Sequence, residues 1–290
     1  MIAYKPEIIE HLKLLQQAKY FFAQGWLTPE QMKQVQLNFP VKHFTPNVFV
    51  RIGLFLFMGI LVMAALGFFM SMSMLLFYNS SFGNGFWMFS NILFSGLCFF
   101  FLEKFIVWRS WYANGMDDAL LYSGFAFLTA FFGFLFSDIQ NEEWFAFALC
   151  LVMWPLASFA SYRYLDRLMA LAAAVLPYVL VFILSMKLLP AAPMLLPFIM
   201  MLLSAGFIWM NRNWLQHSVF RHYESCLEWQ RLLYFLMFYV AGNYFVIKEG
   251  GKELMGFSEG EGMPLSWLFL VFTAIVPVAY IYLALKQKDR

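Results

Sequence analysis

From Ile52 onward the chain is a succession of apolar runs separated by short polar segments, whereas the first fifty residues alternate apolar and polar positions at helical spacing. The runs predict membrane spans near 52–77, 86–102, 119–136, 144–161, 168–186, 194–210, 232–247 and 265–285. Several are close to the roughly 17 residues a helix needs to cross the hydrocarbon core, so their boundaries are soft by a few residues, the sixth and seventh most of all. No soluble domain fits between them, and no internal repeat stands out. The pattern predicts an all-α integral membrane protein with about eight transmembrane helices at residues 50–290, behind a helical hairpin at residues 1–49.

Within that head, Pro6 suits the first turn of a helix, and Ile8, Leu12, Leu15 and Phe22 recur on one face. Gly25 is placed to end the helix. Thr28-Pro29-Glu30-Gln31 then starts a second one, with Thr28 as N-cap, Pro29 in the first position and Gln31 closing a capping box. Met32, Val35 and Phe39 form its apolar stripe, and Pro40 stops it. Each stripe needs burial, against the other helix, the membrane face or a partner. Ile8, Leu12, Leu15, Phe22, Trp26, Met32 and Val35 are therefore the expected partner-docking residues.

Composition changes the picture only by confirming its solvent. The chain is 62% hydrophobic and 12% charged, about half the charge of a soluble domain. Aromatic residues reach 21%, and many of the 10 Trp fall near span ends, where the ring meets lipid and the N–H meets headgroups. A net charge of +2 without any Lys/Arg run gives no reason to expect nucleic acid. Scattered Lys and Glu in the first fifty residues do not make a signal peptide, so insertion is expected to rely on the first span.

Charge also sets orientation. With the head cytoplasmic and eight crossings, the inside segments hold Lys5, Lys13, Lys19, Lys33, Lys42, Arg51, Lys104, Arg109, Arg163, Arg167, Arg212, Arg221, Arg231, Lys286, Lys288 and Arg290. The outside segments hold only Lys187, Lys248 and Lys252. This bias predicts both termini inside and disfavours any odd number of spans. Two inside segments, Glu103–Asn114 and Asn213–Arg231, mix aromatic and charged residues and suit helices lying in the membrane surface or docking a partner.

Chemistry is sparse. Ionisable groups deep in a span mark transport paths because each costs a few kcal/mol there, and the predicted spans are nearly empty of them. Asp138, Lys187 and Lys248 lie at ends. His11, His43, His217 and His222 fall outside the spans, and the last two are five apart, off the three-or-four spacing of one helical face. Cys98, Cys150 and Cys226 stand far apart, without metal-ligand spacing. The outer loop Lys248–Pro264 carries four Glu but lacks the ligand order of a calcium loop. No cofactor or metal is expected. Asp117 and Asp118 are the one acidic pair worth naming, though an N-cap on the third span explains them more cheaply. Pro155, Pro177, Pro197 and Pro277 interrupt spans, Ala170 to Ala174 and Ala157 with Ser161 offer small faces, Asn91, Thr129, Ser158, Ser204 and Thr273 are candidates for bonds between helices, and Asn91, Thr129 and Ser158 could instead line a polar path.

Phe21-Phe22-Ala23-Gln24-Gly25-Trp26-Leu27-Thr28-Pro29-Glu30-Gln31 resembles the head motif of a bacterial multi-span membrane family catalogued as domain of unknown function 2157. In that motif the hairpin turn reads glycine, two apolar residues, a Ser/Thr cap and an acidic-Gln pair, here Gly25, Trp26-Leu27, Thr28 and Glu30-Gln31. The match covers about forty residues, and beyond it only the hydropathy pattern agrees. The resemblance implies a bacterial inner-membrane protein and brings no catalytic residues. The expected function is a non-enzymatic scaffold, assembly or sensory component that meets lipid and a protein partner through its head and inside loops. The alternative is a transporter or channel for a lipid or small apolar solute.

Overall fold

The computed structural model describes residues 2–4, 6–39, 46–76, 84–109, 114–188, 192–244, 246–248 and 266–288. Among the described residues every regular element is helical. The order is α1 (Pro6–Ala23), α2 (Pro29–Asn38), α3 (Val48–Leu76), α4 (Asn84–Arg109), α5 (Met116–Leu135), α6 (Glu142–Tyr164), α7 (Arg167–Leu188), α8 (Ala192–Gln216), a 3-10 stretch (Ser218–Tyr223), α9 (Glu224–Gly242) and α10 (Ser266–Lys288).

Local chemistry accounts for many of the ends. α1 stops where Gly25 turns to φ +76° and the Trp26 N–H reaches back to the Phe21 carbonyl at 2.9 Å. The capping box opens α2: the Gln31 N–H donates to Thr28 Oγ1 at 3.3 Å, and the Thr28 N–H donates to Gln31 Oε1 at 2.9 Å. Asn47 accepts the Phe49 N–H ahead of α3, and Asn141 accepts those of Glu143 and Trp144 at the start of α6. Pro155, Pro177, Pro197 and Pro277 sit inside helices that continue through them.

Among the described residues seven helices, α3 to α8 and α10, are long and apolar enough to cross a membrane. The sequence pattern predicts eight, and the difference lies in the seventh. Instead of running 232–247, this helix begins at Glu224 and ends at Gly242. Its first two turns hold Glu224, Glu228 and Arg231, and its uncharged part, Leu232–Gly242, is about 16 Å long against roughly 30 Å of hydrocarbon. Helical backbone returns at 246–248 after a break at Asn243.

The two expected surface helices are extensions of spans. α4 continues to Arg109 because Leu102 and Ile106, both buried, carry its packed face past Glu103 and Lys104. The segment 213–231 divides into the end of α8, the 3-10 stretch and the start of α9. Residues 40–45, 110–113 and 249–265 lie outside the described residues, as does the side chain of Ile8.

The chain forms two units, Met1–Phe145 and Ala146–Arg290, divided in the first turn of α6. In the first, α5 is packed by α4 and by α3, and α1 packs on α2. Rings fill the space: Phe69 lies against Phe86 and Phe94 at 6.1 and 5.6 Å, and Phe94 against Phe127 at 5.8 Å. The Ser95 hydroxyl donates across to the Gly124 carbonyl at 2.9 Å. In the second unit α9 is packed by α7, α8 and α10. Ala157, Ser161, Ala170, Ala173 and Ala174 are all buried, so the predicted small faces are used for close approach. Half of the most apolar stretch of α7 is buried within the protein, whereas the corresponding share of α3 is about a ninth.

Candidate functional site

At the entrance to α5, Asp117 and Asp118 do different work. Asp117, 4% exposed, accepts the N–H groups of Asn114 and Gly115, both at 3.0 Å, and so fixes the turn before the helix. Gly115 holds φ +94°, and a side chain there would meet the Arg51 backbone carbonyl. Asp118 accepts a forked pair from Arg51, Nη2 at 2.6 Å and Nε at 3.2 Å, tying α3 to α5. Two carboxylates engaged separately do not share a proton in the manner of an acid pair. The Asn114 side-chain oxygen, buried beside them, has no hydrogen-bond partner among the described residues.

The three residues proposed for a polar path each bond back along their own helix. Asn91 donates to the Trp87 carbonyl at 2.8 Å, Thr129 to Phe125 at 2.9 Å and Ser158 to Trp154 at 2.9 Å. Asn91 and Thr129 belong to the first unit and Ser158 to the second.

The second unit carries a polar seam, of which the sequence pattern flags Ser204 alone. The Tyr178 hydroxyl donates to Ser204 Oγ at 2.9 Å, and Ser204 donates to the Met200 carbonyl at 2.8 Å. Tyr178, Tyr234 and Phe207 close around that bond, with ring centroids 5.0 to 6.4 Å apart. One turn of α9 earlier, Gln230 donates to the Ala170 carbonyl at 3.2 Å, and Asn211 donates to the Leu227 carbonyl at 3.0 Å. Near the start of α9, Arg167 Nε donates to Ser225 Oγ at 2.8 Å, and the Cys226 thiol points at the Asp166 carbonyl at 3.7 Å. The signal that finds this seam is spacing: Ser204 and Asn211 are seven apart on α8, and Cys226, Gln230 and Tyr234 are four apart on α9. The Asn211 side-chain oxygen, 1% exposed overall, lacks a hydrogen-bond partner among the described residues.

The break in α9 is satisfied by α10. Tyr244 donates its N–H to Thr273 Oγ1 at 2.9 Å, and the Asn243 carbonyl accepts the Ile247 N–H at 3.0 Å. The Phe272 ring fills the place of a side chain at Gly242. Unwound backbone within a bilayer is tolerated where protein groups take over the lost bonds in this way.

In the head, α1 and α2 bury Ile9, Ala18 and Met32, with the His11 ring edge-on to Phe39 at 5.3 Å. Of the expected docking residues, Met32 is thus buried, and Leu12, Leu15 and Val35 are half-buried. Phe22 and Trp26 turn outward, 42% and 72% exposed. Tyr20 and Phe21 are exposed beside them, and Phe21 stacks on Trp26 at 5.5 Å. Lys13, Gln17, Tyr20 and Phe21 line an open groove along the same side of α1. Ile9, not among the expected residues, is buried in the α1–α2 contact, and the last member of the predicted stripe, Phe22, is exposed. Among the described residues no three His, Cys, Asp or Glu side chains come together as a metal site would require.

No protein-family model, curated protein or solved structure matches this chain.

Proposed function

We propose that this chain is a non-enzymatic component of a bacterial cytoplasmic membrane, an assembly or sensory element that acts by docking through its head. In this arrangement α1 and α2 form a cytoplasmic hairpin, eight helices cross the bilayer with α9 as the interrupted seventh, and both termini lie inside. The Lys/Arg distribution supports that topology, and the head motif supports kinship with the family named above. The observation that carries the docking role is the cluster of Tyr20, Phe21, Phe22 and Trp26, the exposed rings at the α1–α2 turn of a head that packs Ile9, Ala18 and Met32 and leaves Leu14 and Leu37 exposed elsewhere. Contiguous exposed rings mark a surface that works by covering them. The filling of the first unit by Phe69, Phe86, Phe94 and Phe127 favours docking over passage through that unit.

A photoreactive phenylalanine analogue placed at Phe22 or Trp26 in native membranes tests this. Discrete adducts at both positions, and none to other molecules from the buried position Met32, are the expected result. If Phe22 and Trp26 yield no adduct of any kind, the head does not dock.

Transport of a lipid or small apolar solute is the second hypothesis, and the interrupted α9 favours it. Transporters place broken helices at their binding sites. Here the freed backbone at Tyr244 turns to Thr273. If this break is a working site, Thr273→Ala abolishes uptake of a labelled solute into vesicles while leaving the protein's abundance intact. Unaltered uptake removes the break from the path.

A further inference from the structure

The exposed rings of the head sit in a particular electrostatic setting. Between His11 and Pro29 the chain contains Lys13 and Lys19 and no Asp or Glu. Glu7 and Glu10 belong to the opening turns of α1, and Glu30 to the first turn of α2. Lys13 lines the groove that runs to Tyr20 and Phe21, and Lys19 is exposed one residue before the aromatic run. Phe21 and Trp26, stacked on each other across the turn, form a single wedge, and Phe22 projects nearby. A wedge of apolar Phe rings and an amphipathic Trp, flanked by lysines, is the side-chain chemistry of a surface that enters the headgroup layer of a bilayer.

The length of the connection limits what the wedge can meet. Nine residues, 39–47, separate α2 from α3, so the end of α2 stays within at most about 35 Å of the first span. A surface that is always within reach acts at high effective concentration, which a freely diffusing protein does not. The bias of basic residues sets the head on the leaflet side where anionic lipid attracts Lys.

We propose that the occupant of this wedge is the anionic phospholipid surface of the chain's own bilayer, with Phe21, Phe22 and Trp26 inserted among the headgroups and Lys13 and Lys19 facing their phosphates. This rests on the docking role proposed above and names its partner. Insertion anchors the turn between α1 and α2, so the head lies along the membrane instead of standing free of it. Binding of this kind depends on the charge of the lipid and weakens as salt screens it over a Debye length of about 10 Å at 0.1 M.

The test uses the full-length protein carrying the photoreactive analogue at Phe22 or Trp26, reconstituted into vesicles of phosphatidylcholine alone or mixed with phosphatidylglycerol. The expected result is a lipid adduct, identified by mass, from both positions but not from the exposed polar position Gln34. Its yield is expected to be higher in the anionic vesicles and to fall by about tenfold in Lys13→Gln/Lys19→Gln. Lys19 is exposed and Lys13 half-buried at the edge of the groove, and an unchanged unfolding midpoint shows that the variant is folded. Equal yields in neutral and anionic vesicles, or yields indifferent to the two lysines, overturn the anionic-surface proposal. Protein adducts in native membranes in place of lipid adducts also overturn it while leaving the docking role standing, and the absence of any adduct in either setting removes both.

Discussion

Adjacent and identical in chemistry, Asp117 and Asp118 differ in what their loss should cost. Asp117 is buried and accepts two backbone N–H groups. Replacing it by Ala strands both donors away from water, a cost of about 1–3 kcal/mol. Asp118 pairs with an Arg51 whose side chain is 44% exposed. Part of that attraction is screened by solvent, so Asp118→Ala should cost less than about 1 kcal/mol. Thermal unfolding in detergent should therefore rank Asp117→Ala well below Asp118→Ala in midpoint. The reverse order would mean that the Arg51 pair, not the turn, holds α3 and α5 in place. Gly115 belongs to the same corner, since its positive φ and the neighbouring Arg51 carbonyl leave no room for a Cβ.

Elements here are held by contacts that differ between the two units. α4 and α5 meet through rings and the Ser95–Gly124 bond, whereas α7, α8 and α9 meet along a polar seam. α9 and α10 meet where α9 breaks. Tyr280 donates to the Phe235 carbonyl at 2.8 Å, Phe238 lies 5.5 Å from Phe272, and Thr273 takes the Tyr244 N–H. Thr273→Val keeps the shape and removes the acceptor, leaving that N–H to find water or stay unpaired at about 1–3 kcal/mol. The expected outcome is a lower unfolding midpoint and faster amide exchange at Tyr244 than at Phe238, which lies within the continuous helix. Unchanged exchange at Tyr244 would show that Thr273 does not hold the break.

At the scale of the whole chain, the interrupted α9 decides topology. If it crosses, the head and Lys288 lie on one side of the membrane, Glu142 lies on the other, and Arg221 shares the side of the head. If only the seven uninterrupted helices cross, Lys288 lies opposite the head. Single-cysteine labelling from each side of sealed vesicles distinguishes the two, and we expect Lys288→Cys to react from the cytoplasmic side. Labelling of Lys288→Cys from the outside would remove the eighth crossing.

The hydropathy pattern by itself determined that the chain is helical and made largely of apolar spans, because each span satisfies its own backbone and needs only its own residues to do so. Capping was equally local: Thr28, Gln31 and Gly25 act on groups within a few residues and were readable in order. Contacts between helices decided the rest. Gly242-Asn243 offers a local stop within residues 232–247, but the break is completed by Phe272 and Thr273 from another helix. Asn211, Gln230 and Tyr178 become one seam only once three helices meet, and Phe22 faces outward because Ile9, Ala18 and Met32 fill the α1–α2 contact. Periodicity says which residues share a face, but which face is covered depends on a neighbour from elsewhere in the chain.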